Sequence, residues 1–172
     1  MIVRMKKVKA PPAPSQYPSL DEFDRKILRI VQANNMVAHR EISEAVCLSV
    51  PAVARRLQRL RKLGVITADT SVVCPEFVGV PLTIMVTLSV GNESLEQMDA
   101  IRSRFLKCPQ VQQCYHVTGE IDFVLIMSVR DIREYESLTR TLLSEDGNVR
   151  QFRTHVVLQR VKTTLQVPID AG

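Results

Sequence analysis

The spacing of apolar residues changes near residue 80, and this change limits the folds open to the chain. Before that point apolar side chains such as Ile27 and Val31 recur every three or four residues, which is the repeat of one helix face. After it, Ile84, Val86 and Leu88 alternate with mostly polar neighbours, as in a strand with one buried face. We therefore predict an α+β protein with a helical N-terminal part and a sheet in its C-terminal part.

The helical part contains three short helices. The first is predicted over residues 20–34 with Asp21 as its N-cap, and the second over residues 38–46. A tight turn at residues 47–49 leads into a third helix, which Ser49 caps and Gly64 ends. Two short helices joined by a tight turn, with a supporting helix before them, are typical of a helix-turn-helix.

Composition and pattern also set the predicted domain boundaries. Four prolines among small and basic residues indicate a disordered arm before the first helix. Weak alternation from Val65 to Val73 favours a two-stranded wing after the third helix. From residue 80 the predicted elements follow the order β-α-β-β-α-β, which is the ferredoxin-like arrangement. The second of these helices is predicted to run from an Asp131 cap through Leu143, with Glu134 placed for a capping box. We expect a basic Pro-rich arm at 1–19, a winged helix-turn-helix domain at 20–66, a wing or linker at 67–79, a ferredoxin-like domain at 80–167 and a tail at 168–172.

Positive charge is concentrated in the first third of the chain. The net charge is +5, but residues 1–64 carry +8 and residues 65–172 carry −3. Such an asymmetry indicates that the N-terminal part meets a polyanion, and double-stranded DNA is the partner we expect. A basic surface that is only solvated is the alternative interpretation.

The third helix carries the candidate DNA contacts. Residues 49–64 hold five basic side chains and no acidic one. At helical spacing, Val53, Leu57 and Leu60 should face inward, and a stripe from Ala52 to Lys62 should face outward. A helix of this kind fits the major groove. The candidate DNA-binding residues are Ser49, Val50, Pro51, Ala52, Arg55, Arg56, Arg59 and Lys62.

Other classes of protein agree less well with the sequence. No apolar run approaches the roughly 18 residues of a membrane span, and no apolar segment of a secretory signal follows the basic N-terminus. The four cysteines form no Cys-x-x-Cys pair, and His39, His116 and His155 lack metal-ligand spacing. We expect a cytoplasmic protein without a catalytic site, a metal, a cofactor or a membrane partner.

Longer motifs stand in a fixed order along the chain, at residues 20–28, at 41–43, at positions between 48 and 66, and at 116–125. Together they resemble the Lrp/AsnC family, also called feast/famine regulatory proteins. The resemblance extends over residues 20–167 without large gaps. It implies a sequence-specific DNA-binding transcription regulator whose second domain binds a small effector such as an amino acid.

The resemblance also implies how such a protein assembles and where its effector binds. Dimers form through the second domains, associate further, often into octamers, and bind the effector between dimers. By resemblance, Thr118, Gly119, Glu120 and Asp122 are effector-binding candidates, and Thr154 of a neighbouring subunit is a weaker one. The glycine lets the backbone approach a carboxylate, and an acidic side chain there can hold an ammonium group. A plain hairpin turn is the alternative, because Gly and Asp are turn formers.

The sequence departs from the family pattern at two helix ends. Cys47 stands where the turn usually has Gly, so it needs a left-handed backbone or a different turn. Ala38 replaces the usual polar cap of the second helix, which should weaken that helix end.

Two other functions remain open. The architecture is similar to that of siroheme decarboxylases, tetrapyrrole-modifying enzymes that use histidines of the second domain, and His116 and His155 keep that alternative open. The retained basic helix favours a regulator over such an enzyme. A third possibility is an assembly protein whose helix-turn-helix no longer binds DNA.

Overall fold

The computed structural model describes residues 17–144 and 147–170, so the predicted arm at 1–19 lies almost wholly outside the described residues. Two units are present. The helical unit comprises residues 17–71 and 164–170, and the sheet unit comprises residues 72–163. Among the described residues, no helix has both the length and the apolar composition needed to cross a membrane.

The described part of the helical unit forms three helices: α1 (Glu22–Ala33), α2 (His39–Val46) and α3 (Val50–Lys62). Asp21 and Asp24 form a reciprocal capping box at the start of α1, with Asp24 N–H donating to Asp21 Oδ1 over 2.8 Å. Ser49 Oγ accepts from Ala52 N–H at the start of α3, as predicted. Ala38 gives α2 no side-chain cap. Apolar side chains from all three helices form one core: Ile27, Leu28, Ile42, Val46, Val53, Leu57 and Leu60.

The turn between α2 and α3 depends on an uncommon backbone conformation. Cys47 adopts a φ of 55°, so it takes the left-handed conformation that glycine usually supplies. Its N–H donates to Ser43 O and closes α2. Of the two alternatives for this cysteine, the left-handed backbone is the one observed, and the conformation costs about 1–2 kcal/mol relative to glycine.

The predicted wing is wrong, because residues 65–81 contain no strand. Val65 N–H and Ile66 N–H both donate to Leu60 O, so the chain folds back onto the end of α3. Residues 67–71 are mostly polar and offer no apolar face, and a two-stranded ribbon without such a face is only marginally stable. Asp69 instead pairs with Arg61 of α3.

The C-terminal segment, residues 164–170, packs on the helical unit. Gln32 of α1 donates from Nε2 to Val167 O over 3.0 Å and accepts from Val167 N–H over 3.2 Å. Ile169 packs against the helical core. The predicted tail begins at residue 168, but the chain has left the sheet unit by residue 164.

The described residues of the sheet unit form four strands and two α-helices. In chain order these are β1 (Leu82–Val90), α4 (Leu95–Lys107), β2 (Val111–His116), β3 (Phe123–Val129), α5 (Ile132–Thr139) and β4 (Val149–Val156). The strand order is β2-β3-β1-β4, and every neighbouring pair is antiparallel. The predicted β-α-β-β-α-β order and ferredoxin-like arrangement are therefore confirmed.

The two faces of this sheet differ. On one face Ile84, Val86 and Leu88 of β1 pack with Phe105 of α4 and Phe123 of β3, whose rings meet edge to face at 5.7 Å. Among the residues that the structure describes, no helix covers the other face of the sheet, where β1 presents Met85, at 37% exposure, beside Ile126 of β3.

Helix α5 ends differently from its prediction. It was expected to run to Leu143, but the α-helix stops at Thr139 and residues 140–144 form a π-helical turn. Asp131 caps α5 as predicted, since its Oδ1 accepts from Glu134 N–H over 2.8 Å. Glu134 does not return that bond; it accepts from Arg130 N–H instead, so the expected capping box is half formed.

Candidate nucleic-acid interface and effector turn

The exposed face of α3 contains most of the predicted DNA contacts. Arg55, Arg59 and Lys62 are exposed along the helix, and Ala52 is half-buried. At the N-terminal end, Ser49, Val50 and Pro51 are exposed and short, so another molecule can approach the backbone there. The structure thus brings the predicted residues together on one helix, while their contacts with DNA stay predictions.

The five basic side chains of α3 are not equivalent. Within the part of the chain that the structure describes, Arg55 and Lys62 make no ion pair, and the other three do. An unpaired guanidinium keeps its full charge for a phosphate, whereas a paired one shares it with a carboxylate. The pairs are Arg56 with Asp21 and Asp24, Arg59 with Asp24, and Arg61 with Asp69.

Asp24 is the centre of the charge cluster between α1 and α3. Its side chain is fully buried, and Oδ1 accepts from Arg56 Nη1 over 2.8 Å. Oδ2 accepts from Arg59 Nη2 and from Asp21 N–H. A buried carboxylate is stable only when its oxygens are bonded, and two guanidinium groups meet that need here.

Arg56 is held more firmly than the other arginines of α3. Its Nη1 also reaches Asp21 Oδ2 at 2.7 Å, and its guanidinium lies 5.4 Å from the centre of the Phe23 ring. These carboxylates raise the pKa of Arg56, and the Asp24 amide and then Arg56 lower the pKa of Asp21. Its side chain is 25% exposed, against 44% for Arg59.

A cavity of about 340 Å³ lies in the sheet unit and another of about 310 Å³ in the helical unit. The cavity of the helical unit is lined by Asp21, Arg55, Arg56 and Arg59, so it is basic. That of the sheet unit is lined by residues including Glu76, Thr83 and Arg160, at the end of β1 opposite the predicted effector turn.

The predicted effector turn lies between β2 and β3. Thr118, Gly119 and Glu120 are exposed, and Val117 N–H closes the turn by donating to Asp122 O over 2.9 Å. Gly119 has a φ of +117°, which side chains rarely adopt, and a Cβ built there meets no atom within 4 Å. The turn can therefore receive a ligand from outside.

Asp122 has a structural task that the sequence did not suggest. Its Oδ2 accepts from Val90 N–H over 2.7 Å, and its own N–H donates to Leu88 O over 2.9 Å. The half-buried carboxylate thereby ties the turn to the end of β1. If the Asp122 carboxylate also binds the ammonium group of a ligand, it must do so while it accepts the bond from Val90 N–H.

Thr154 is not brought to the turn within one chain. It lies on β4 opposite Val86, and its hydroxyl is hydrogen-bonded to the hydroxyl of the buried Tyr135. Strand β4 is the edge strand on one side of β1, while the turn joins the two strands on the other side. Any joint site requires Thr154 of another copy, as the family resemblance implied.

The histidines of the enzyme alternative are also apart. His116 is on edge strand β2, stacks on Phe123 at 5.0 Å and faces the helix-covered side. His155 is on the opposite edge strand and pairs with Met85, whose side chain faces the uncovered side. The two imidazoles therefore form no common site within one sheet unit.

Comparisons with known proteins agree with both units. Residues 20–61 match the AsnC-type helix-turn-helix domain, and residues 83–167 match the Lrp/AsnC ligand binding domain. An uncharacterised HTH-type transcriptional regulator of Sinorhizobium fredii is 42% identical over 88% of this chain and 89% of its own length. A leucine-responsive regulatory protein of Haemophilus influenzae is 31% identical over 85% and 88%. The structure of a transcriptional regulator of Neisseria meningitidis in complex with L-Met has a TM-score of 0.83 at 27% identity, covering 88% of this chain and 98% of that one.

Proposed function

Because this chain belongs to the Lrp/AsnC family, we propose that it reads DNA through α3 and senses an amino acid at the 118–122 turn. It is a DNA-binding transcription regulator with a ligand-binding domain. We propose that it acts in the cytoplasm and without catalysis, as a DNA-binding regulator of this family.

The exposed face of α3 supports the proposed mode of DNA binding. Its unpaired Arg55 and Lys62 stand on the same side, with the short residues 49–52 at the N-terminal end. In the major groove, this end lies against base edges while the longer basic side chains reach phosphates or guanines. The sequence also predicted a DNA contact for Arg56, but two carboxylates already hold its guanidinium, so the proposed mode does not depend on that contact.

An amino acid is the proposed effector. The exposed backbone at Gly119 suits a ligand carboxylate, and Glu120 and Asp122 offer negative charge for its ammonium group. A structural neighbour in complex with L-Met and a relative named for its response to leucine suggest the first probes. A neighbouring copy would supply Thr154.

The uncovered sheet face supports a proposed mode of assembly. Met85, Val124 and Ile126 lie on it with Tyr115, which is 51% exposed, and two copies packed face to face would bury these apolar groups. We propose such a dimer as the basic form and further association, up to an octamer, between dimers. Two recognition helices related by a two-fold axis favour a pseudo-palindromic DNA site. Sedimentation of the wild type and of an Ile126→Asp variant tests the interface, since the variant should be monomeric.

A thermal-shift screen against the twenty amino acids, started with L-methionine and L-leucine, tests the effector proposal. A ligand at a hundredfold excess over its Kd stabilises its unit by about 2.7 kcal/mol. The same ligand should then change the affinity for promoter DNA, measured by fluorescence anisotropy. A ligand that stabilises the protein but leaves DNA binding and assembly unchanged would contradict a regulatory role.

A further inference from the structure

The charge cluster between α1 and α3 contains two carboxylates and two guanidinium groups, so its formal charge is zero. It consists of Asp21, Asp24, Arg56 and Arg59. Of the five positive charges counted on α3 from the sequence, two are cancelled here. This cluster therefore adds little to the nonspecific attraction between protein and DNA, which depends on uncompensated charge.

The burial of Asp24 is not explained by helix capping. Its capping bond to Asp21 N–H is 3.3 Å long, and an exposed acid at the same position could make it. Burial of the carboxylate instead serves its contacts to α3, where it bonds Arg56 through one oxygen and Arg59 through the other. These bonds fix both the distance between the helices and the direction of the two guanidinium groups.

We infer that Asp24 is a positioning residue for DNA specificity, which holds α3 through Arg56 and keeps Arg59 aimed in one direction. Arg56 then acts on DNA through the position of the helix and makes no phosphate contact of its own. Arg59, the more exposed of the two arginines, reaches DNA from the side-chain orientation that its bond to Asp24 fixes. The inference rests on the proposed use of α3 as the DNA-reading helix.

The chain offers a matched control for the carboxylate. Asp69 pairs with Arg61 of the same helix over 2.9 Å, but both side chains are more than 40% exposed. Asp24→Asn and Asp69→Asn each remove one negative charge from the helical unit and release an arginine of α3. The two variants differ in whether the lost contact is buried between helices.

The test measures the affinity of each variant for two DNA duplexes, one selected by the wild type from a random pool and one scrambled. With Asp24→Asn we expect the affinity for the selected duplex, divided by that for the scrambled duplex, to fall about tenfold or more. The affinity for the selected duplex should drop, while the scrambled duplex should bind as well as before or better. With Asp69→Asn the ratio should stay within about twofold. Asp24→Asn that weakens both affinities equally would overturn the inference.

A second pair of variants keeps the test decisive if Asp24→Asn fails to fold. Arg55→Gln should reduce the slope of log affinity against log salt by about 0.9 on the scrambled duplex, as the loss of one phosphate contact does. Arg56→Gln should leave that slope unchanged and still weaken the selected duplex. An equal loss of slope in both variants would show that Arg56 contacts phosphate and refute the inference. A wild type that selects no duplex would refute the proposed DNA reading itself, which is a distinct outcome.

Discussion

Substitution of Asp122 should separate a structural role from a ligand-binding role. The carboxylate accepts from Val90 N–H over 2.7 Å, and Val90 is only 8% exposed. Asp122→Ala leaves this amide without its acceptor, at a cost of about 1–3 kcal/mol to the sheet unit. A loss of 2 kcal/mol corresponds to a fall in Tm of about 10 °C for a domain of this size. Asp122→Asn keeps an oxygen acceptor and should cost about 1 kcal/mol or less.

Ligand affinity should fall in the Asp122→Asn variant although its stability changes little. If the carboxylate holds an ammonium group, Asp122→Asn loses a charge-assisted bond worth about 1.5–3 kcal/mol, which weakens binding about ten- to a hundredfold. Calorimetric titration with the amino acid found by thermal shift measures the ligand affinity of each variant, and denaturation measures its free energy of unfolding. Wild-type ligand affinity in the Asp122→Asn variant would refute the ammonium role and leave Asp122 as a brace for the turn.

Three further predictions concern the turn, the cap of α1 and the C-terminal segment. Gly119→Ala should destabilise the sheet unit by about 1–2 kcal/mol through backbone strain alone, because the space around a Cβ is open at a φ of +117°; an unchanged denaturation midpoint would contradict this. The pKa of Asp21 is lowered from 3.8 by the Asp24 N–H and by Arg56, so its contribution is present above about pH 4 and lost as the pH falls through the lowered value. Asp21→Asn should therefore reduce the loss of helical-unit stability on acidification below about pH 4, as measured by ellipticity. Deletion of residues 164–172 should raise amide exchange around Gln32 in α1, and exchange equal to that of the full chain would show that the segment does not brace the helix.

Periodicity predicted most of the fold because the pattern of burial follows it. The alternation along β1 places Ile84, Val86 and Leu88 against the helices, and the inward positions Val53 and Leu57 of α3 are buried as expected. Local chemistry was equally informative at Asp21 and Ser49, where the cap bonds lie within three residues of the cap.

Long-range contacts were beyond such reasoning. The backbone of Val167 bonds the side-chain amide of Gln32 from 135 positions away, and no periodic pattern in the sequence marks such a contact. The weak alternation after Val65 suggested a wing, but no apolar face stood behind it.

The site itself was only partly predictable. Arg55 and Lys62 are outward, as the helical repeat implied. The count of basic residues on α3, however, did not distinguish Arg56 from them as a DNA contact. A signal was present: Asp24 falls on the same stripe as Ile27 and Leu28, and an acid on an apolar stripe requires a basic partner. Which arginine would partner it could be seen only in three dimensions.

Selection of DNA by the wild-type protein from a random duplex pool, followed by affinity titration of the enriched sequences, tests the central claim most directly. We expect enrichment of a pseudo-palindrome whose half-sites lie about one helical turn, or a multiple of it, apart. The enriched duplex should bind at least about a thousandfold more tightly than a scrambled one at physiological salt. A pool that remains random after repeated rounds, with equal affinity for every duplex, would contradict sequence-specific DNA binding by α3.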